Sequence, residues 1–303
     1  MKNNFNFDFV GKRKIWYLIS LVIIVAGLVS LCFQGLNLGI DFTGGNVIQI
    51  QFQEDVEIDE LRAVVNEYTE STPTIQESDN NNYIIRTEEM TEDNNVAMLS
   101  DIKAEFGDNE VLRNEKIGAT IGSELISNAK WALLAAVVLM LVYITVRFKF
   151  NFAISAVIPL LHDVLITVGL FSIMRVEVDS TFVAAILTIL GYSINGTIVI
   201  FDRIRENLIN AKKINFPLIV NDSINQTLGR SINTNVAVLI LVLALLILGG
   251  ESTKNFALAL LIGFVAGGYS SVFVAGSILT DITRWTKSEK KYTVKKKKVK
   301  TFN

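Results

Sequence analysis

The chain has 303 residues, half of them hydrophobic and 19% charged, with a formal net charge of −2. The apolar residues arrive in long uncharged blocks rather than at amphipathic spacing, which excludes an ordinary soluble globular domain. With Cys32 as the single cysteine and His162 as the single histidine, an internal disulfide and a cysteine-based zinc site are excluded as well.

A hydrocarbon core about 30 Å thick needs about 20 mostly apolar residues per helix. Six blocks meet that requirement, at 15–33, 131–148, 152–173, 181–201, 232–249 and 256–280. Lys12, Arg13 and Lys14 precede the first block in the manner of a signal peptide. Leu31 is too large for the position before a lipobox cysteine and no small-x-small cleavage site follows, so the block is expected to stay as an anchor.

Residues 34–130 form an insert long enough for one small domain. Asn46–Phe52 alternates like a strand, Val56–Glu70 has helical spacing, and Tyr83–Thr87 is β-prone after the turn-rich Asp79-Asn80-Asn81-Asn82. Asn94–Phe106 reads as a second helix and Glu110–Lys116 as a last strand, giving the order β-α-β-α-β and an α+β sandwich. The insert has no histidine or cysteine, and its carboxylates spread along exposed helix faces, so it reads as a binding or mechanical element.

Ionisable residues inside a span are costly and usually face a bundle interior or an ion path. His162 and Asp163 lie at the middle of the third span, about 100° apart on the helix, so they are not expected to share one narrow face. A carboxylate at that depth either carries a proton or is held by backbone and hydroxyl groups of a neighbouring helix. The fourth span contains Gly191-Tyr192-Ser193-Ile194-Asn195-Gly196-Thr197, whose glycines and hydrogen-bonding side chains suit close packing or a kink beside a polar seam. Ser193, Asn195 and Thr197 could also offer oxygens to a sodium ion. Asn195-Gly196-Thr197 matches a glycosylation sequon, which a membrane position excludes.

The stretch 202–231, read as loop and helix, opens with Asp202-Arg203-Ile204-Arg205-Glu206-Asn207, a charged helix end of the kind that forms solvated salt bridges. Arg230 abuts the fifth span, where a permanent guanidinium charge needs a carboxylate or carbonyl partner. In the sixth span Gly263 and Gly267, followed by Gly268, Ser270, Ser271, Ala275 and Gly276, make a strip suited to helix contact.

Basic residues alternate sides from span to span: Lys12 to Lys14, Arg147 with Lys149, Arg203, Arg205, Lys212 and Lys213, then the tail 281–303. Both termini, including residues 1–14, are therefore expected in the cytoplasm and the insert outside. Trp16, Trp131 and Trp285 fall at span ends, as an aromatic belt requires. The tail follows a span directly, so its charge reads as a cytoplasmic, lipid-facing feature rather than a nucleic-acid site. No Walker A loop, dinucleotide glycine pattern, G-x-S-x-G or histidine metal motif occurs, so neither an enzyme nor a cofactor or metal site is expected.

Several segments together resemble the SecD/SecF family of bacterial protein-export membrane proteins, on its SecF side. They are Gly39-Ile40-Asp41-Phe42-Thr43-Gly44-Gly45, Ile117-Gly118 through Leu125, Leu161-His162-Asp163, Gly191 through Asn195, Phe201-Asp202-Arg203-Ile204-Arg205-Glu206-Asn207, and Asn225-Gln226-Thr227-Leu228 with Arg230. Ala119 stands where the family usually has proline. The resemblance covers about Lys12 to Trp285. It implies half of a resistance-nodulation-division (RND) type membrane fold, a six-helix bundle with an inserted extracytoplasmic α+β domain, in the bacterial plasma membrane.

It also implies a SecD-like partner supplying six further spans, the SecYEG channel and unfolded preproteins as partners, and a proton or sodium gradient as the driving force. The family motif runs Gly-Tyr-Ser-Ile-Asn-Asp, with the aspartate linked to proton movement; here that position is Gly196. Three accounts stand: reliance on carboxylates of the partner, a pathway through Asp163, or an engineered replacement. Arg230 matches the family arginine of the same pathway. An RND-type exporter of small molecules or lipids, and a scaffold that conducts no ions, are the competing functions.

Overall fold

The computed structural model describes residues 6–78, 81–148, 150–211 and 215–286. Lys149, Lys212, Lys213, Asp79, Asn80 and the basic tail after Thr286 lie outside them. In chain order the elements begin with α1 (Arg13–Gln34), β1 (Asn37–Leu38), the single turn α2 (Ile40–Thr43) and β2 (Gly45–Phe52). They continue with α3 (Ile58–Asn66), β3 (Thr74–Ser78), β4 (Asn82–Thr87), α4 (Glu92–Phe106) and β5 (Asn109–Ile117). The rest is α5 (Ala119–Arg147), α6 (Phe150–Met174), β6 (Glu177–Val178), α7 (Ser180–Asn210), α8 (Phe216–Leu248) and α9 (Glu251–Tyr269), which runs through a π-helical stretch, Ser270–Ala275, into α10 (Gly276–Trp285).

Two compact units result, one of residues 38–131 and one of the residues before and after them. The second unit holds six helices long and apolar enough to cross a membrane: α1, α5, α6, α7, α8, and α9 with α10 taken together. Asp179 caps α7 by accepting from the Phe182 amide at 2.9 Å, and Asn215 caps α8 with Pro217 in its first turn, where a missing N–H costs nothing.

Several helices run past the hydrophobic blocks. α5 begins at Ala119 rather than 131, and the sixth span covers 251–285 rather than 256–280. The stretch expected as loop and helix, 202–231, is mostly helix, α7 continuing to Asn210 and α8 starting at Phe216. Hydropathy marks where lipid ends, whereas the helix ends where its backbone is capped.

Small residues set the helix contacts. α1 and α6 run parallel in one register: Ser20 meets His162, Gly27 meets Gly169 and Ser30 meets Ser172, each pair 142 positions apart. A Cβ on Gly27 would come within 2.7 Å of the Gly169 backbone, so glycine is what permits the approach. Gly263 and Gly267 of α9 face Ile189 and Ser193 of α7, an i,i+4 pair against an i,i+4 pair.

The inserted unit is a four-stranded antiparallel sheet in the order β3-β4-β2-β5, carried with α3 and α4. Its order is β-α-β-β-α-β; the strand Thr74–Ser78 was not anticipated and corrects the β-α-β-α-β expectation. Its core holds Ile48, Ile50, Phe52, Leu61, Val65, Tyr83, Ile85, Met98 and Ile102. Gly44 and Gly45 have φ of 73° and 124°, and a Cβ on Gly45 would lie 2.4 Å from the Thr87 carbonyl oxygen. Only glycine fits where the chain swings from α2 into the central strand. Asp41 lies in the first turn of α2.

Candidate ion-coupling site

Asp163 is wholly buried at the middle of α6, and its two carboxylate oxygens address different neighbours. Oδ1 lies 2.8 Å from His162 Nδ1. Oδ2 accepts from Ser193 Oγ of α7 at 2.5 Å and from Ser270 Oγ of the π-helical stretch at 2.8 Å. The neighbouring side chains expected to diverge therefore meet: the ring turns back far enough to bond the carboxylate while its other edge faces α1. His162 Nε2 is 2.9 Å from Ser20 Oγ, and the ring stacks on Tyr269 at 6.0 Å between centroids. The polar seam thus crosses the bundle from α1 through α6 to α7 and the last helix.

Beside it is a cavity of about 70 Å³, with room for several waters, lined by residues that include Tyr192, Ser193, Asn195, Gly196, Arg230 and Ser271. Ser193 links this cavity to Asp163. A Cβ on Gly196 would meet Ser271 Oγ at 2.8 Å and Ser271 Cβ at 3.3 Å, so the glycine lets α7 and the last helix close over the seam. Arg230 is exposed on this chain, and none of the ion pairs among the described residues includes it. The partner expected for its charge is therefore not supplied by these residues. π-helical turns inside α-helices commonly mark functional sites, and here the turn delivers Ser270 to the carboxylate.

Three expectations need correction. Ser193 and Thr197 are buried, Thr197 donating to Ser271 Oγ at 3.4 Å, while Asn195 is exposed and shares the cavity lining with Ser193 but not with Thr197; the three do not converge on a cation. Gly191 is also exposed, with nothing within 4 Å of a Cβ built on it, so it does not serve close packing within the chain. Gly191 and Asn195, one turn apart, instead mark an uncovered face of α7. The third correction is the His162–Asp163 contact described above.

The charged end of α7 is a surface network. Asp202 pairs with Arg147 at 3.6 Å and Arg205 at 3.7 Å, and Arg203 pairs with Glu206 at 2.6 Å and donates to Gln226 at 2.5 Å. All are at least a third exposed, so each pair contributes about 0–1 kcal/mol and ties the ends of α5, α7 and α8 together. Ser20 carries only a faint signal in the sequence, a serine seven residues before Gly27 in α1.

Residues 98–285 match the family described as protein export membrane protein SecD/SecF, C-terminal, and residues 29–56 match the SecD/SecF GG motif. The protein translocase subunit SecF of Sebaldella termitidis is 41% identical over 92% of each chain. The chain belongs to the SecD/SecF family of protein-export membrane proteins.

That of Haemophilus influenzae is 37% identical over 91% of this chain and 86% of its own. A crystal structure of SecDF, a translocon-associated membrane protein from Thermus thermophilus, superposes with a TM-score of 0.85 at 32% identity and 94% coverage of this chain. The super-membrane-facing form of SecDF gives a TM-score of 0.69 at 31% identity. The chain spans 40% of the length of those SecDF chains. Its six apolar helices are the multi-pass membrane half of an RND-type fold, with the α+β domain inserted after the first helix.

Proposed function

We propose that this chain is the SecF-type accessory subunit of the Sec protein translocase. Paired with a SecD-like subunit, it draws on the ion gradient to help the SecYEG channel export unfolded preproteins across the bacterial plasma membrane. Its termini lie in the cytoplasm and residues 34–130 outside, an orientation supported by the alternation of Lys and Arg between successive loops.

The observation that carries the ion-gradient reading is Asp163: a carboxylate buried among hydroxyls in the bundle and joined through Ser193 to a cavity. A charge at that depth costs several kcal/mol and is retained where it serves an ion pathway. Asn195 and Arg230 line that cavity and are exposed. A guanidinium on an uncovered membrane helix face calls for a carboxylate from the partner, which takes over the charge that Gly196 lacks. No step in this account makes or breaks a covalent bond to a substrate.

Purification of the tagged chain from its native membranes in mild detergent tests the pairing. A SecD-like subunit is expected to co-purify in stoichiometric amount, and Arg230→Ala is expected to weaken its recovery. Recovery of the chain alone in every mild detergent would contradict the reading.

A further inference from the structure

The seam between α1 and α6 has three polar or glycine contacts in one register, and only one of them includes an ionisable side chain. Gly27 against Gly169 and Ser30 against Ser172 hold the two helices together without charge. Ser20 against His162 is different. Ser20 and Gly27 are the two fully buried residues of α1. The helix ends at Gln34, and the inserted unit begins at Leu38.

The groups around the pair are Ser193 from α7, Ser270 from the π-helical stretch, Tyr269 from α9 and Ser20 from α1. Asp163 accepts from two serine hydroxyls and contacts His162 Nδ1, and such donors satisfy the ionised carboxylate. The nitrogen left with a protonation change to make is His162 Nε2. Two features suit a charged ring there: the carboxylate on its Nδ1 edge and the Tyr269 face 6.0 Å away, within the range of cation–π attraction.

We propose that His162 holds the coupling proton, with Asp163 as its fixed counter-charge, and that Ser20 transmits the proton's arrival to α1. The inference rests on the reading of Asp163 as part of an ion-coupling site. In the empty state the neutral ring donates Nδ1–H to Asp163 Oδ1, and Nε2 accepts from the Ser20 hydroxyl. On loading, the Ser20 hydroxyl proton passes to Nε2 and an incoming proton restores the hydroxyl, so one proton is gained and no other bond changes. Nε2–H now donates, and Ser20 must turn from donor to acceptor. The Tyr269 hydroxyl, on the ring stacked against His162, donates to the Trp16 carbonyl at 2.8 Å, one turn before Ser20 on α1, so the reversal falls where α1 is already held by the site.

Because His162 is the single histidine, ¹⁵N-histidine labelling of the full chain, reconstituted in liposomes with its partner subunit, reports on this one ring. Between about pH 9 and about pH 5 its Nε2 resonance is expected to move to that of an imidazolium, and Asp163→Asn is expected to abolish the move. In the same membranes Ser20→Ala, a nearly isosteric change, is expected to cut gradient-driven export about tenfold while the ring still titrates, and Ser20→Thr to restore it. A ring that stays neutral over the whole range, or wild-type export from Ser20→Ala, overturns the inference. If Asp163→Asn itself exports at the wild-type level, the reading of the site falls too; if it does not, only the role of His162 and Ser20 is lost.

Discussion

The two units of this chain sort their side chains in opposite ways. The inserted unit buries Ile48, Ile50, Leu61, Ile85 and Met98 and leaves its carboxylates in water. The membrane unit turns Leu18, Leu21, Leu139, Leu241 and Ile247 outward and buries Ser155, His162, Asp163, Thr167, Ser193, Thr197, Ser270 and Ser271. Lipid is as apolar as leucine and offers no reward for hiding it, so contacts among small and hydroxyl residues decide how the helices pack. A buried polar group therefore means different things in the two places. In the inserted unit it is an exception, and in the membrane unit it is the packing itself, with Asp163 as the residue that exceeds what packing requires.

The largest stability effect should come from the inserted core. Ile50→Ala removes a fully buried side chain from the central strand and should cost about 2–5 kcal/mol, seen as faster proteolysis of residues 38–131 in the full chain. In the membrane unit, Gly263→Val should cost about 1–3 kcal/mol, because a Cβ there would lie 2.2 Å from Ile189 Cδ1. Thermal melting in detergent measures it, and Ile189→Ala combined with Gly263→Val should recover part of the loss. Equal damage with and without that second change would show that the α7–α9 contact is not set by this pair.

Tyr83 sharpens the comparison from the other side, as a polar group inside the apolar core. Its hydroxyl donates to Asp55 at 2.7 Å, with the Val56 carbonyl also within reach at 2.9 Å, and burial followed by the Asp55 hydrogen bond pushes its pKa above the usual 10.0. A raised folded-state value means that the neutral phenol's contribution is fully present below the unfolded value and is lost as pH rises through the folded one. Stability of the insert should therefore fall above about pH 10, and Tyr83→Phe should remove that fall while costing about 1 kcal/mol at neutral pH. The smallest effect belongs to the exposed pairs at the end of α7: Glu206→Gln should shift melting by no more than about 1 kcal/mol in equivalent stability.

Much of the fold was legible because lipid imposes a coarse rule. Six apolar blocks became six helices, and Asp163 and His162 announced themselves as ionisable groups where ions are costly. The extension of α5 before residue 131 was hidden because its polar residues leave the hydrophobic block without leaving the helix. Strand Thr74–Ser78 was missed because it is an edge strand in which Ile75 is the hydrophobic residue that reaches the core. At the site, the serines were unreadable one by one: Ser20 and Ser270 acquire meaning only from the register of α1 on α6 and from the π-helical turn. Asn195 and Gly191 share the seam's sequence yet are exposed, Asn195 on the lining of the neighbouring cavity.

The most direct measurement is export of a preprotein driven by the ion gradient in membrane vesicles carrying Asp163→Asn, with and without Gly196→Asp. The account predicts loss of the gradient-dependent fraction in the single variant and no recovery in the double one, with both proteins present at wild-type levels. Gradient-driven export at the wild-type level from Asp163→Asn, or its full recovery by Gly196→Asp, would contradict it.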